Sequence, residues 1–157
     1  MSITPGTRAP SFVLRNQHGQ SIDSRELLTR RAVLVVFLPL AFSPVCSQEL
    51  VQLDDWHDVA ASAGVEVVVI SVDSAATLRA WSDAESISLS LLSDFWPHGA
   101  VAQSFGVFLD EKGFARRSSF LIDINGIVRD VISSQLGEPR QFADYQRAIE
   151  RLSSERR

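Results

Sequence analysis

The chain has 157 residues, of which 45% are hydrophobic and 22% are charged. This size and composition predict one globular domain, residues 1–157, that buries most of the surface its unfolded form exposes. The net charge of −4 argues against nucleic acid or an anionic membrane as the main partner.

The first part of the chain predicts a hairpin and then strands alternating with helices. Short apolar runs on either side of a polar turn indicate the hairpin, and β-branched and aromatic residues indicate a central strand. Gly64 follows a segment of helical periodicity and ends it. The predicted elements are a hairpin over residues 12–22, a brief helix over 24–28, a buried strand over 32–38 and a long helix over 45–63.

The remaining elements follow from similar signals. Asp73-Ser74 indicates the start of a helix, and Asn125-Gly126 between apolar runs indicates a tight turn. The predicted elements are a buried strand over 65–72, a helix towards residue 85, a strand over 89–92, a short helix ending near 105–106, a hairpin around the turn 110–113, a hairpin of 118–123 and 127–131, and a last helix over about 141–152. Together they predict an α/β fold with a mixed sheet and helices on both faces.

Two features of the sequence bear on the cellular compartment. The N-terminal residues lack the charged and then apolar pattern of an export signal, and the longest apolar run, residues 32–42, is too short to span a bilayer. A single cysteine, Cys46, allows no disulfide framework, which agrees with a reducing compartment. We therefore expect a cytoplasmic protein that does not bind membranes.

Cys46 lies directly after the apolar strand, in the first turn of the long helix. Free backbone N–H groups and the positive end of the helix dipole favour a thiolate over a thiol there. A buried cysteine that serves only as a small hydrophobic side chain fits the same pattern about equally well. The local sequence leaves both interpretations open.

The histidines raise the alternative of a Cys/His hydrolase. His57 lies eleven positions after Cys46 on the same predicted helix, which separates the two by roughly 16 Å, so they cannot form a nucleophile and base pair. His98 stays a candidate base, although hydrogen bonding at a helix start is its simpler role. No Cys/His spacing resembles a structural zinc site.

A dithiol oxidoreductase requires Cys-x-x-Cys, and the positions three before and three after Cys46 are Ser43 and Glu49. That activity is excluded for this chain alone. What remains is the chemistry of one thiolate beside the hydroxyl of Ser43, with the backbone N–H groups of Val45 and Cys46 directed at the same place. Prolines in this loop lack N–H donors and stiffen it, which would shield the sulfur from water.

Residues 39–46, with the pattern Pro-x-x-x-Ser-x-x-Cys, resemble the active-site signature of the peroxiredoxins, in which the fifth position is Thr or Ser. Residues 37–42 and 93–99 most resemble the alkyl hydroperoxide reductase E group of bacterial one-cysteine peroxiredoxins. Other segments that match the family, in order along nearly the whole chain, are residues 9–14, 70–74 with Trp81, 91–94, 105–107 and 117–123.

The resemblance implies a thioredoxin-like fold with a central mixed sheet and an N-terminal β-hairpin extension. It implies a thiol-dependent peroxidase that reduces hydrogen peroxide, organic hydroperoxides or peroxynitrite and needs no metal, haem or flavin. Cys46 would become a sulfenic acid, and because the chain has no second thiol, an external low-molecular-weight thiol or a redoxin protein would recycle it. The resemblance also implies a homodimer.

The resemblance further implies roles for individual residues. Cys46 is the peroxidatic cysteine, Ser43 hydrogen-bonds the peroxide and Pro39 covers the sulfur. A family arginine sits beside the thiolate. Arg117 is preferred to Arg116 because the family arginine lies three residues before an aromatic residue.

That aromatic residue is Phe120 in this chain. Glu49 would orient the arginine from one helical turn beyond Cys46. Trp81 would pack beside the site, although plain core packing explains it as well. A different class of function is also open, a redox sensor that relays oxidation of Cys46 to a partner with little turnover.

Overall fold

The computed structural model describes residues 3–155. Its strands are β1 (Val13–Asn16), β2 (Ser21–Asp23), β3 (Ala32–Phe37), β4 (Val65–Ser71), β5 (Ser90–Ser93), β6 (Phe108–Leu109), β7 (Phe114–Ala115), β8 (Ser118–Ile122) and β9 (Val128–Ser133). Its helices are α1 (Ser24–Leu28), α2 (Pro44–Ser62), α3 (Ala75–Glu85), α4 (Ala100–Ser104) and α5 (Phe142–Glu155).

A seven-stranded mixed sheet has the strand order β2-β1-β5-β4-β3-β8-β9, and β6 and β7 form a separate two-stranded hairpin. Strands β3, β4 and β5 are parallel neighbours, whereas β8 pairs with β3 in the antiparallel direction. The carboxyl ends of the three parallel strands therefore meet at one edge of the sheet. The start of β8 lies at the same edge, because Val36 pairs with Ser119.

Strand β3 is buried at every position because helices cover both faces of the sheet. Side chains of alternate residues enter different cores, as the two-residue period of a strand requires. Leu34 and Val36 belong to a core that includes residues of α2, α3 and α5. Val35 and Phe37 belong to a second core that includes residues of α4 and, at its margin, α1.

The predicted α/β fold with its mixed sheet and N-terminal hairpin is confirmed, with element boundaries shifted by a few residues. The start of α3 differs in one respect from the expected Asp73-Ser74 cap. Ser74 alone is the N-cap, accepting a hydrogen bond from the Thr77 backbone N–H, while the Asp73 side chain is directed to another loop. Within residues 3–155, no helix is long and apolar enough to cross a membrane.

Candidate active site

Helix α2 begins at the carboxyl edge of the sheet and carries Cys46 in its first turn. Ser43 is the N-cap, and its Oγ accepts a hydrogen bond of 3.3 Å from the Cys46 backbone N–H. Pro44 occupies the first helical turn, where the missing N–H is not needed. The Cys46 side chain is fully buried, with 0% exposure.

The two backbone N–H groups that we expected beside the sulfur, those of Val45 and Cys46, are not equivalent. The Cys46 N–H is already engaged by Ser43 Oγ. The Val45 N–H has no hydrogen-bond partner within residues 3–155. Val45 is thus the freer donor at this helix start.

Arg117 lies immediately before β8, and its guanidinium reaches the sulfur. Nη2 lies 3.2 Å from Cys46 Sγ, Nη1 donates to Glu49 Oε1 at 2.5 Å, and Nε donates to the Leu136 carbonyl at 2.8 Å. All three nitrogens are therefore fixed. A cation that does not lose its proton therefore lies within contact distance of the sulfur, where it can stabilise negative charge. Arg116 is exposed, so the structure brings only the preferred arginine to Cys46.

Glu49 is buried one helical turn beyond Cys46 and contacts two arginines. Burial alone would raise the pKa of the Glu49 carboxyl. The hydrogen bonds and charge of Arg140, together with the charge of Arg117, outweigh burial and hold that pKa below its usual range. Glu49 is therefore a counter-charge that the two arginines share.

Arg140 is a component that the sequence analysis missed. Its backbone N–H and its Nε each donate to Glu49 Oε2 at 2.9 Å, and Nη2 donates to Glu49 Oε1 at 3.1 Å. Its Nη1 donates to the Phe37 carbonyl at 2.8 Å and to Ser119 Oγ at 3.1 Å. Arg140 thus ties the end of β3, the start of β8 and helix α2 together around Glu49.

Trp81 on α3 is buried beside the same helix turn, and it makes a polar contact as well as packing contacts. Its Nε1 donates to Ser47 Oγ at 3.0 Å, next to Cys46 in sequence. The Phe42 ring lies 6.2 Å from the Trp81 ring, at a tilt of 42°. Pro39 is buried at the start of the loop that carries Phe42.

Comparison with known proteins assigns the chain to a family. Residues 5–131 match the AhpC/TSA family. The chain belongs to this family, the peroxiredoxins. It is 38% identical to alkyl hydroperoxide reductase E of Mycobacterium tuberculosis and of Mycobacterium bovis, over 97% of this chain and 99% of those proteins.

Solved structures agree with this assignment. This peroxiredoxin superposes on the reduced 2-Cys peroxiredoxin of Plasmodium vivax with a TM-score of 0.86 at 28% identity, over 96% of this chain and 82% of that one. It superposes on the peroxidoxin BcpB of Mycobacterium tuberculosis with a TM-score of 0.84 at 27% identity, over 97% of both chains. The fold is thus the thioredoxin-like fold of the peroxiredoxins. The chain is a thiol-dependent peroxidase of this family, and its single cysteine fits the one-cysteine type.

The histidines of this peroxiredoxin lie elsewhere. His98 Nε2 is 2.7 Å from the Gly113 carbonyl and its Nδ1 is 3.3 Å from the Phe95 carbonyl. His57 Nδ1 is 2.5 Å from the Asp54 carbonyl on α2 itself. Within residues 3–155 no histidine hydrogen-bonds Cys46, so the structure lacks the pair that a Cys/His hydrolase requires.

Proposed function

We propose that Cys46 reduces hydrogen peroxide, organic hydroperoxides or peroxynitrite and is recycled by an external thiol. The observation that carries this proposal is the contact of 3.2 Å between Arg117 Nη2 and Cys46 Sγ. The guanidinium that makes the contact is itself fixed by Glu49, which Arg140 holds.

The charge of the buried cluster complements a Cys46 thiolate, the form of the sulfur that attacks a peroxide. Arg117 and Arg140 carry two positive charges, and ionised Glu49 carries one negative charge. A Cys46 thiolate makes the cluster neutral, whereas a thiol leaves one buried positive charge uncompensated. Because uncompensated buried charge is costly, the cluster favours the form that can attack a peroxide.

In the first step the thiolate attacks the terminal oxygen of the peroxide. The sulfur–oxygen bond forms as the oxygen–oxygen bond breaks, so Cys46 becomes a sulfenic acid. The departing oxygen takes up a proton and leaves as an alcohol, or as water when the substrate is hydrogen peroxide, whereas peroxynitrite releases nitrite. Negative charge therefore moves from sulfur to the leaving oxygen during this step.

Fixed donors near that path lower the barrier, because they stabilise the developing charge more than the ground state. In this proposal Arg117 supplies the positive charge, and Ser43 Oγ and the Val45 N–H orient the peroxide. Pro39 covers the sulfur and limits the access of water.

The second step uses an external thiol, either a small molecule or a redoxin protein. The sulfur of that thiol bonds to Cys46 as the sulfur–oxygen bond of the sulfenic acid breaks, and water leaves. A second thiol then breaks the mixed disulfide, which releases a disulfide of the reductant and restores the Cys46 thiolate. The chain has no second cysteine to replace the first of these thiols.

Steady-state peroxide consumption with dithiothreitol as the external thiol tests this function. We expect many turnovers per Cys46, and none for Cys46→Ser. A redox sensor predicts oxidation of Cys46 with little turnover. Such a result would overturn the proposed peroxidase cycle.

We also propose a homodimer, in the cytoplasm. Large aromatic side chains are exposed on loops at the carboxyl edge of the sheet, with Phe42 at 52%, Phe95 at 51% and Trp96 at 81% exposure. Exposed aromatic groups of this kind favour protein–protein contact. Sedimentation velocity should give a dimer that Trp96→Ser weakens. Ile124→Ser, which changes an exposed residue beyond the opposite end of β8, is the control.

A further inference from the structure

The segment that joins β3 to α2, residues 39–43, is here called the active-site loop. Apart from the hydrogen bonds that begin helix α2, one hydrogen bond within residues 3–155 joins the backbone of this loop to another segment of the chain. The Ala41 N–H donates to Asp73 Oδ2 at 2.8 Å. Because the acceptor is a carboxylate, this bond is stronger than one between neutral groups.

Asp73 is itself held from two strands. Ser71, at the end of β4, donates from its Oγ to Asp73 Oδ2 at 2.7 Å. Ser93, at the end of β5, donates from its Oγ to the Asp73 carbonyl at 2.6 Å. Asp73 is therefore fixed to the ends of two strands of the sheet. Its carboxylate in turn binds the active-site loop, which is not part of the sheet.

The backbone conformation of the loop requires a stabilising contact such as this hydrogen bond. Phe42 has a φ of 68°, in the left-handed region that side chains other than glycine rarely adopt. Its ring is half exposed and lies 6.2 Å from the Trp81 ring. The observed loop conformation is thus strained at Phe42 and depends on contacts made elsewhere.

The proposed cycle requires two states of this loop. Cys46 Sγ is fully buried, which suits the reaction with a small peroxide. The thiol that recycles the sulfenic acid has to bring its own sulfur to a bonding distance of about 2.05 Å from Cys46 Sγ. The loop must therefore open for the second step and close again for the first.

We propose that Asp73 is a positioning residue that holds the active-site loop closed through the Ala41 N–H. This inference rests on the proposed function. Weakening the bond disorders the donors around the peroxide and exposes the sulfur. The step with peroxide then slows, and the step with the external thiol becomes faster.

The test measures the two half-reactions of Asp73→Asn separately. Hydrogen peroxide is mixed with the reduced protein, and the coloured thiol 5-thio-2-nitrobenzoate is mixed with the sulfenic acid form. We expect the peroxide reaction to slow about tenfold, the magnitude by which a charge-assisted hydrogen bond exceeds a neutral one, and the thiol reaction to become several-fold faster. General destabilisation of the fold does not predict rates that move in opposite directions.

Asp94→Asn is the matched control. Asp94 is a buried carboxylate at the end of β5 that accepts hydrogen bonds from the Val101 and Ala102 N–H groups and does not touch the active-site loop. This variant should leave the ratio of the two rates unchanged. The inference is overturned if Asp73→Asn leaves both rates unchanged, moves them in the same direction, or matches Asp94→Asn.

A third measurement separates this inference from the proposed function. The reduced protein is treated with 5,5′-dithiobis(2-nitrobenzoate), which reports access to Cys46 without any peroxide chemistry. Asp73→Asn should react several-fold faster than the parent protein and Asp94→Asn at the parent rate. A parent protein inactive towards peroxide would refute the proposed function, whereas equal rates of thiol labelling would refute the role of Asp73.

Discussion

Glu49 and Asp94 have nearly the same exposure, 4% and 2%, and very different surroundings. Arg117 and Arg140 contact Glu49, and they hold the pKa of its carboxyl below the usual range against the effect of burial. Asp94 accepts two backbone N–H bonds and, within residues 3–155, forms no ion pair with an arginine. Burial dominates there and raises the pKa of the Asp94 carboxyl.

One carboxylate is linked to Cys46 through a guanidinium, and the other is bonded to backbone N–H groups. Both are about equally hidden from water, so burial does not distinguish them. The difference lies in the guanidinium groups, one of which continues to Cys46 Sγ. The direction of the pKa shift of a buried carboxyl in this protein therefore depends on its cationic partners and not on its exposure alone.

Removal of the charge of Glu49 should produce the largest effect. Glu49→Gln keeps the size of the side chain but leaves two buried guanidinium groups without their carboxylate. We expect the free energy of unfolding at pH 7 to fall by about 3 kcal/mol. Urea denaturation measures this, with Glu66→Gln as a control, since Glu66 forms a half-exposed pair with Arg31. Equal losses in the two variants would contradict the comparison.

Removal of Arg117, the cation that contacts both Glu49 and Cys46, should have the second-largest effect. Arg117→Ala deletes the group that links Glu49 to the sulfur, and we expect the second-order rate of peroxide reduction to fall on the order of a hundredfold. Stopped-flow mixing with hydrogen peroxide measures this rate. Arg116→Ala, which changes the exposed neighbour, should keep the rate within about twofold of the parent. The opposite pattern would assign the catalytic role to the wrong arginine.

An uncharged neighbour of the sulfur should matter less than the charged one. Ser43→Val removes the hydroxyl and should slow peroxide reduction about tenfold, whereas Ser43→Thr should retain most of the rate. Because Ser43 is also an N-cap, Ser74→Val is the matched control for loss of a cap on α3. If Ser43→Val is as active as the parent, the hydroxyl does not bind the peroxide.

The smallest effects are opposite dependences of stability on pH. The stability that Glu49 contributes is present above the usual carboxyl pKa of about 4.3 and is lost as the pH falls through its lowered pKa in the folded state. The contribution of Asp94 is fully present below about 3.9 and is lost as the pH rises through its raised pKa.

Urea denaturation between pH 3 and pH 7 measures both dependences against the neutral variants. The stability of the parent relative to Glu49→Gln should decrease as the pH falls. Its stability relative to Asp94→Asn should increase over the same range. Slopes of the same sign would contradict the opposite pKa directions.

The sequence predicted the elements of the fold and the part of the site that is local in the chain. Hydrophobic periodicity and turn residues depend on near neighbours, so they located β3, the start of α2 and the position of Cys46 between them. The position of Arg117 beside the sulfur came from the family resemblance alone. The two residues are 71 positions apart, and no local pattern joins them.

The contacts of Arg140 and Asp73 could not be predicted from local sequence patterns. Arg140 lies in an irregular segment between β9 and α5, where no periodicity marks a buried residue, and only the tertiary fold brings it to Glu49. Asp73 precedes a helix and matches the rule for an N-cap, but Ser74 satisfies that rule one residue later. Its carboxylate is thereby available for the Ala41 N–H, a contact that capping preferences do not predict.

The indole of Trp81 is an intrinsic fluorescent probe of the surroundings of Cys46. It is buried, joined to Ser47 by its Nε1 and adjacent to the ring of Phe42, so its emission should respond to movement of either neighbour. Trp96 is 81% exposed, which makes it accessible to iodide or acrylamide, whereas Trp81 is shielded from both quenchers. Fluorescence recorded in the presence of quencher would therefore come mainly from the two buried indoles, Trp81 near the sulfur and Trp56 further along α2.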